Sequence, residues 1–216
     1  MRRRSLIALS LAGAVGTSAR AQGVLSAPDL SGTEVGPLPP EFLTTWRTGH
    51  GALGDWRVVA DASVRAGKAI EQSSADGTDY RFPLAVYQKL TAQDVAASVR
   101  FKAIGGKSDR AGGLAVRLTD ADNYYVVRAN ALEDNVNFYR VVKGRRQQIR
   151  GASVKVSSGD WHSLALETRG TTFRIAYDGK PLFTAEDTTF TGPGKVALWT
   201  KADSVTRFDQ LQVRPL

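Results

Sequence analysis

The residues best suited to chemistry are Arg117, Arg128, Asn130, Asn137, Tyr139, Trp199 and Lys201, which sit on one phase of segments that alternate polar and apolar side chains. Guanidinium, amide and ammonium groups offer fixed hydrogen-bond partners, and tyrosine and tryptophan offer flat rings. Together on one sheet face they suit a sugar, whose hydroxyls need donors and acceptors and whose apolar ring face stacks on an aromatic. Within this set, Val196 and Leu198 take the core phase of their segment, which leaves Trp199 and Lys201 on the other side.

Other chemistries have weaker signals. His50 and His162 are the two histidines and belong to no His-Glu-x-x-His pattern; His162 shares its phase with Leu164 and Leu166, as a packed histidine would. Gly105-Gly106-Lys107-Ser108 is like the end of a phosphate-binding loop, but a strand follows it where a helix N-terminus is required, so it reads as a hairpin loop. No Gly-x-Ser-x-Gly elbow is present. Hydrolysis of a glycoside needs two carboxyl groups across the scissile bond, and Glu133 and Asp134, in a loop between two strands of the polar face, are the most reachable acids. A solvated acidic turn explains them as well. No cofactor is expected. A structural calcium ion has two candidate contributors, Asp120-Ala121-Asp122-Asn123 and Asp209, each of which turn chemistry or an ordinary polar partner also explains.

These residues have to be positioned by strands. From Gly112 to Gly144 the chain reads as an antiparallel meander of three. Further strands are predicted at 56–60, 68–73, 80–87, 95–104, 147–156, 161–168, 172–177, 181–185, 195–201 and 205–213. Asp178-Gly179, Lys143-Gly144 and Arg169-Gly170 place glycine where a turn needs positive φ. Only residues 90–97 could pass for a helical turn. About a dozen short strands without a fixed repeat predict an all-β, two-sheet antiparallel jelly-roll sandwich spanning 41–216, with a Pro/Gly-rich leader at 22–40.

The first residues read as a secretory signal: Arg2, Arg3 and Arg4, an apolar stretch from Leu6 to Val15, and Ala19-Arg20-Ala21 for cleavage. Signal peptide 1–21 predicts a periplasmic or secreted protein, by the Sec or the twin-arginine route; the start of the chain fits both. No stretch is long enough to span the membrane as a helix. Cleavage lowers the formal charge from +8 to +4, and the remaining basic residues alternate with acids, which argues against a nucleic-acid partner. The chain has no cysteine, so disulfides, cysteine nucleophiles and Cys-ligated zinc are excluded.

The run Tyr124-Tyr125-Val126-Val127-Arg128-Ala129-Asn130, with Phe138-Tyr139-Arg140-Val141, Trp161, Asp178-Gly179, residues 194–203 and Phe208-Asp209, resembles the 3-keto-disaccharide hydrolase-like domains of the concanavalin A-like lectin/glucanase superfamily. The resemblance covers about residue 41 to the last residue, with Gly54-Asp55-Trp56 at the entry. It implies a jelly roll with a carbohydrate-facing concave sheet. Similar chains are often labelled family 16 glycoside hydrolases, but the Glu-x-Asp-x-x-Glu strand of that family has no counterpart here, so no catalytic residue is carried over. Three functions are compatible with these features: a carbohydrate-binding domain, an enzyme acting on glycosides or keto-glycosides, and a protein-interaction domain of the cell envelope.

Overall fold

The computed structural model describes Pro28, Leu30 to Phe42 and residues 44–216. The expected signal segment and the first residues of the leader lie outside the described residues. The described part of the leader packs on the domain: Leu30 and Leu38 are buried in the core, Gly36 bridges Val58, and a short 3-10 turn, Pro40–Phe42, buries Phe42.

Fourteen strands follow: β1 (Thr44–Gly49), β2 (Trp56–Ala60), β3 (Lys68–Gln72), β4 (Arg81–Ala92), β5 (Val95–Gly105), β6 (Ala111–Asp120), β7 (Asn123–Asn130), β8 (Asn135–Val142), β9 (Arg145–Ser153), β10 (His162–Arg169), β11 (Thr172–Tyr177), β12 (Lys180–Glu186), β13 (Gly194–Trp199) and β14 (Val205–Pro215). They form two antiparallel seven-stranded sheets: sheet I in the order β1-β4-β13-β6-β7-β8-β9, and sheet II in the order β12-β11-β10-β5-β14-β3-β2. The all-β sandwich expected from the alternation is the fold. Residues 90–97 are the β4–β5 hairpin rather than a helical turn. β1 is an addition to the expected strands; its signal was the run of Thr44, Thr45, Trp46 and Thr48, all strand formers.

Turn chemistry sets the register. Asp178 and Gly179 both have positive φ (48° and 74°), as do Lys143 and Gly144 (49° and 75°), the geometry of a two-residue turn that matches strand twist. The main core lies between the sheets, where Tyr125, Val127, Phe138 and Leu198 of sheet I meet Val99, Phe101, Leu164, Phe173 and Phe208 of sheet II. The Phe173 ring packs 4.6 Å from Tyr125 and 4.8 Å from Phe138.

Candidate functional site

The register of sheet I fixes what its outer face presents. Leu84, Trp199, Gly113, Arg128, Asn137 and Gly151 form one row across the strands, and Val86, Ala197, Ala115, Val126, Tyr139 and Gln148 form the next. Arg128, Asn130, Asn137, Tyr139 and Trp199 therefore share this face as their sequence phase predicts, and Lys201, just beyond the end of β13, joins them through Asp109.

The face is not flat. β4 and β9 are five strand spacings apart, about 24 Å in an unrolled sheet, yet the Tyr80 hydroxyl accepts from the Arg146 amide at 2.5 Å. Thr48 of β1 likewise meets Tyr124 of β7 at 2.7 Å through their hydroxyls. The diagonal corners of the twisted sheet thus curl toward each other and close one end of the face. Inside lies a second apolar core of Phe82, Leu84, Val126, Ala197, Trp199 and their neighbours. Trp199 is 0 % exposed, stacked 5.3 Å from Phe82, with its indole N–H directed at the Tyr124 hydroxyl 3.3 Å away. Its ring is packing, not an open platform. The phase read from the sequence is right; the rolling of the sheet decides the burial. Burial also raises the Tyr124 hydroxyl well above its ordinary pKa, against the hydrogen bonds from Thr48 and Trp199 that favour its ionised form.

Toward the other end the same face becomes polar. The Tyr139 hydroxyl accepts from Arg128 Nη2 and from Asn137 Nδ2, each at 3.0 Å. Arg128 also donates to Asn135 and, at 2.6 Å, to Glu133. Lys201 pairs with Asp109 at 2.7 Å, and Asn130 donates to the same carboxylate at 2.9 Å while its own carbonyl accepts from the Leu132 amide. The rim of this strip reaches solvent: Glu133 is 43 % exposed, Gln148 and Gly151 are exposed, and Gly151 puts no side chain beside Asn137. Asp109 was not among the residues singled out from the sequence, because only the fold brings its loop beside Lys201. Burial pushes its carboxyl upward against the opposing pull of Lys201. Glu133 moves the other way: burial opposes its charge, but the Arg128 guanidinium outweighs it and holds the carboxyl low.

Arg117 does not join the site. Alternation places it in phase with Gly113 and Ala115, but β6 bulges between Val116 and Asp120, and Arg117 adopts a φ of 49°. The bulge turns the side chain to the opposite side. There it donates to the carbonyls of Gln93, Phe190 and Gly170 and to the Asp94 carboxylate, with its guanidinium 5.2 Å from the Phe173 ring. It is a buried fastener of three loops. Gly194 permits the bulge, since a Cβ there would lie 2.3 Å from the Arg117 carbonyl carbon.

The remaining motifs are also accounted for. The loop at Gly105 to Ser108 does hold an anion, the chain's own Asp203, whose carboxylate accepts from the amides of Lys107, Ser108 and Asp109 at 2.6–3.1 Å. Burial works against that charge, but the three amides prevail and keep the carboxyl low. His162 has Nδ1 2.8 Å from the Asp178 carboxylate and Nε2 3.1 Å from the Ser157 carbonyl. Asp120 accepts from the Asp122 amide and the Asn123 side chain, and Asp209 faces Arg100 at 3.4 Å. Glu133 and Asp134 diverge, the first toward Arg128 and the second toward Lys155 and the Val156 amide. Among the described residues, no group of three or more His, Cys, Asp and Glu side chains could hold a metal ion.

Residues 86–216, more than half of the chain, match the family of galactocerebrosidase C-terminal lectin domains. The chain belongs to this family. No curated protein sequence matches it. Among solved structures, carbohydrate-binding module CBM66 of Bacillus subtilis superposes with a TM-score of 0.62 at 22 % identity, covering 74 % of this chain and 91 % of its own. Domain 4 of AbnA, an extracellular GH43 arabinanase of Geobacillus stearothermophilus solved with arabinotriose, gives 0.58 at 14 % identity over 90 % of this chain and 93 % of its own. A Bacillus subtilis protein of unknown function with a galectin-like fold gives 0.57 at 10 % identity, over 88 % and 98 %. At these identities the likeness is one of fold.

Proposed function

We propose that this lectin-family sandwich binds a carbohydrate outside the cytoplasm, on the polar strip of sheet I. The observation that carries the reading is the preset hydrogen-bonded row Arg128, Tyr139 and Asn137, which runs to an open rim at Glu133, Gln148 and Gly151. Donors and acceptors held in place before a ligand arrives bind hydroxyls without a further ordering cost. Membership in a family of lectin domains points the same way. Binding is favoured over hydrolysis because both carboxylates of the strip, Asp109 and Glu133, are engaged by Lys201 and Arg128.

The test is a glycan array that includes keto-sugars and galactose- and arabinose-containing oligosaccharides, followed by calorimetry on the best ligand. Asn137→Ala is expected to weaken binding about tenfold, the loss of one well-placed hydrogen bond. Trp161→Ala, on the opposite outer face, is expected to leave it unchanged. Binding to no glycan, or loss of binding in Trp161→Ala with Asn137→Ala unaffected, overturns the proposal. Repeating the titration with a chelator tests whether a structural calcium ion takes part, for which Asp120 to Asn123 and Asp209 are the candidate contributors.

A further inference from the structure

Along the polar strip of sheet I the largely buried cations are matched by acids. Arg128 is neutralised by Glu133 and Lys201 by Asp109. Arg146, on the same face of β9, has no acidic partner among the described residues. Its guanidinium carbon lies 4.5 Å from the Tyr139 ring centroid, 4.8 Å from Phe82 and 5.9 Å from Trp199. Three rings thus lie within cation–π range of the guanidinium. Aromatic rings engage a guanidinium without supplying a hydrogen-bond acceptor for its N–H groups. None of them makes a hydrogen bond among the described residues, and Nη1 is buried without a partner. Tyr139 carries a second guanidinium, Arg128, at 5.7 Å, and the Arg128 Nε is also buried and unpartnered. Arg128 itself is 2 % exposed. Of the two cations on the Tyr139 ring, Arg128 is buried and paired with Glu133, whereas Arg146 is part-exposed and has no acidic partner among the described residues.

We propose that the sugar held by sheet I is acidic, and that its carboxylate or sulfate pairs with the guanidinium of Arg146 where it lies on the Phe82, Tyr139 and Trp199 rings. The inference rests on the carbohydrate-binding reading above and adds the ligand's charge. Planar N–H pairs match carboxylate and sulfate oxygens at two points, so both the charge and the geometry of the guanidinium contribute. Arg146 is thereby the residue that selects between an acidic glycan and its neutral counterpart.

The experiment compares matched ligands that differ in charge: oligogalacturonate with its methyl ester, 3′-sialyllactose with lactose, and a sulfated galactan with its desulfated form. The acidic member of at least one pair is expected to bind ten times or more tightly, and which pair responds identifies the acidic group. Arg146→Gln is expected to abolish that preference, and Arg146→Lys to restore only part of it, because an ammonium keeps the charge but not the two-point geometry. Arg145→Gln lowers the net charge equally, but Arg145 is exposed and lies on the other phase of β9, so it is expected to change nothing. Melting temperatures of all three variants show whether a lost preference reflects lost folding. Binding of neutral and acidic members with equal affinity, or an equal effect of Arg145→Gln and Arg146→Gln, overturns the assignment of Arg146 and leaves the sugar-binding reading standing. Failure of every glycan to bind overturns both.

Discussion

The two outer faces of the sandwich treat charge in opposite ways. On sheet II, Asp61 pairs with Lys102 at 2.8 Å and with Arg207 at 2.9 Å, Arg207 reaches Glu71 at 2.7 Å, and Arg100 faces Asp209. Lys102 and Arg100 also lie over the half-buried Trp161 ring, at 4.8 and 5.0 Å. Cations and acids close on one another there, and a separate shallow groove of about 420 Å³ on the same sheet includes the small residues Ala96, Ser98, Ala165 and Ala176. On sheet I the apolar half of the face is rolled shut over Trp199, and Arg146, packed on the Phe82, Tyr139 and Trp199 rings of that half, has no acidic partner among the described residues. A closed ion network stabilises the face that carries it and leaves no valence for a ligand, whereas a cation held only by aromatic rings retains its hydrogen-bonding capacity.

The largest effect should come from the closed part of sheet I. Trp199→Ala removes a fully buried indole and is expected to cost about 3–5 kcal/mol in urea unfolding; a loss below about 1 kcal/mol would show the ring to be free of the second core. Next is the network on sheet II. Asp61→Asn leaves Lys102 and Arg207 without their shared partner and is expected to cost about 2–3 kcal/mol at pH 7. Burial disfavours the Asp61 charge, but its bonds from Lys102, Ser63 and Arg207 hold the folded carboxyl well below its ordinary value. A depressed folded value contributes stability that is present above the unfolded pKa of about 3.9 and is lost as pH falls below it. The difference between Asp61→Asn and the parent should therefore narrow below about pH 4, as read by unfolding midpoints.

Smaller changes separate the two faces further. Tyr139→Phe removes the oxygen that accepts from both Arg128 and Asn137, and should cost about 1 kcal/mol of stability while weakening sugar binding by calorimetry. Asp109→Asn on sheet I should have the opposite sign to Asp61→Asn. Burial raises the folded carboxyl of Asp109, so its ionised form is disfavoured as pH climbs through that value. The amide is expected to gain stability at pH 7, a gain that disappears in acid, where the parent is protonated in both states. Equal signs for the two substitutions would remove the electrostatic contrast between the faces.

Much of this architecture was readable along the chain, and the exceptions have identifiable causes. Alternation put Arg128, Asn137, Tyr139 and Trp199 on one face, and the turn residues Asp178-Gly179 and Lys143-Gly144 fell where two-residue hairpins formed. Arg117 was misplaced because a bulge adds a residue to one strand and reverses the phase beyond it, and nothing in the local sequence announces that event except Gly194 on the neighbouring strand. Asp109 and Arg146 were missed because their roles come from partners distant in the chain, Lys201 for one and Phe82 and Trp199 for the other.

The sequence by itself determined the strand class, the turns and the parity of side chains, since these follow from backbone geometry over two to four residues. Tertiary structure alone decided which side of sheet I is dry and which is wet, because the roll of the sheet, the bulge at Arg117 and the meeting of Tyr80 with Arg146 depend on strands brought together from the whole chain. Parity says that two side chains look the same way; only packing says what they face.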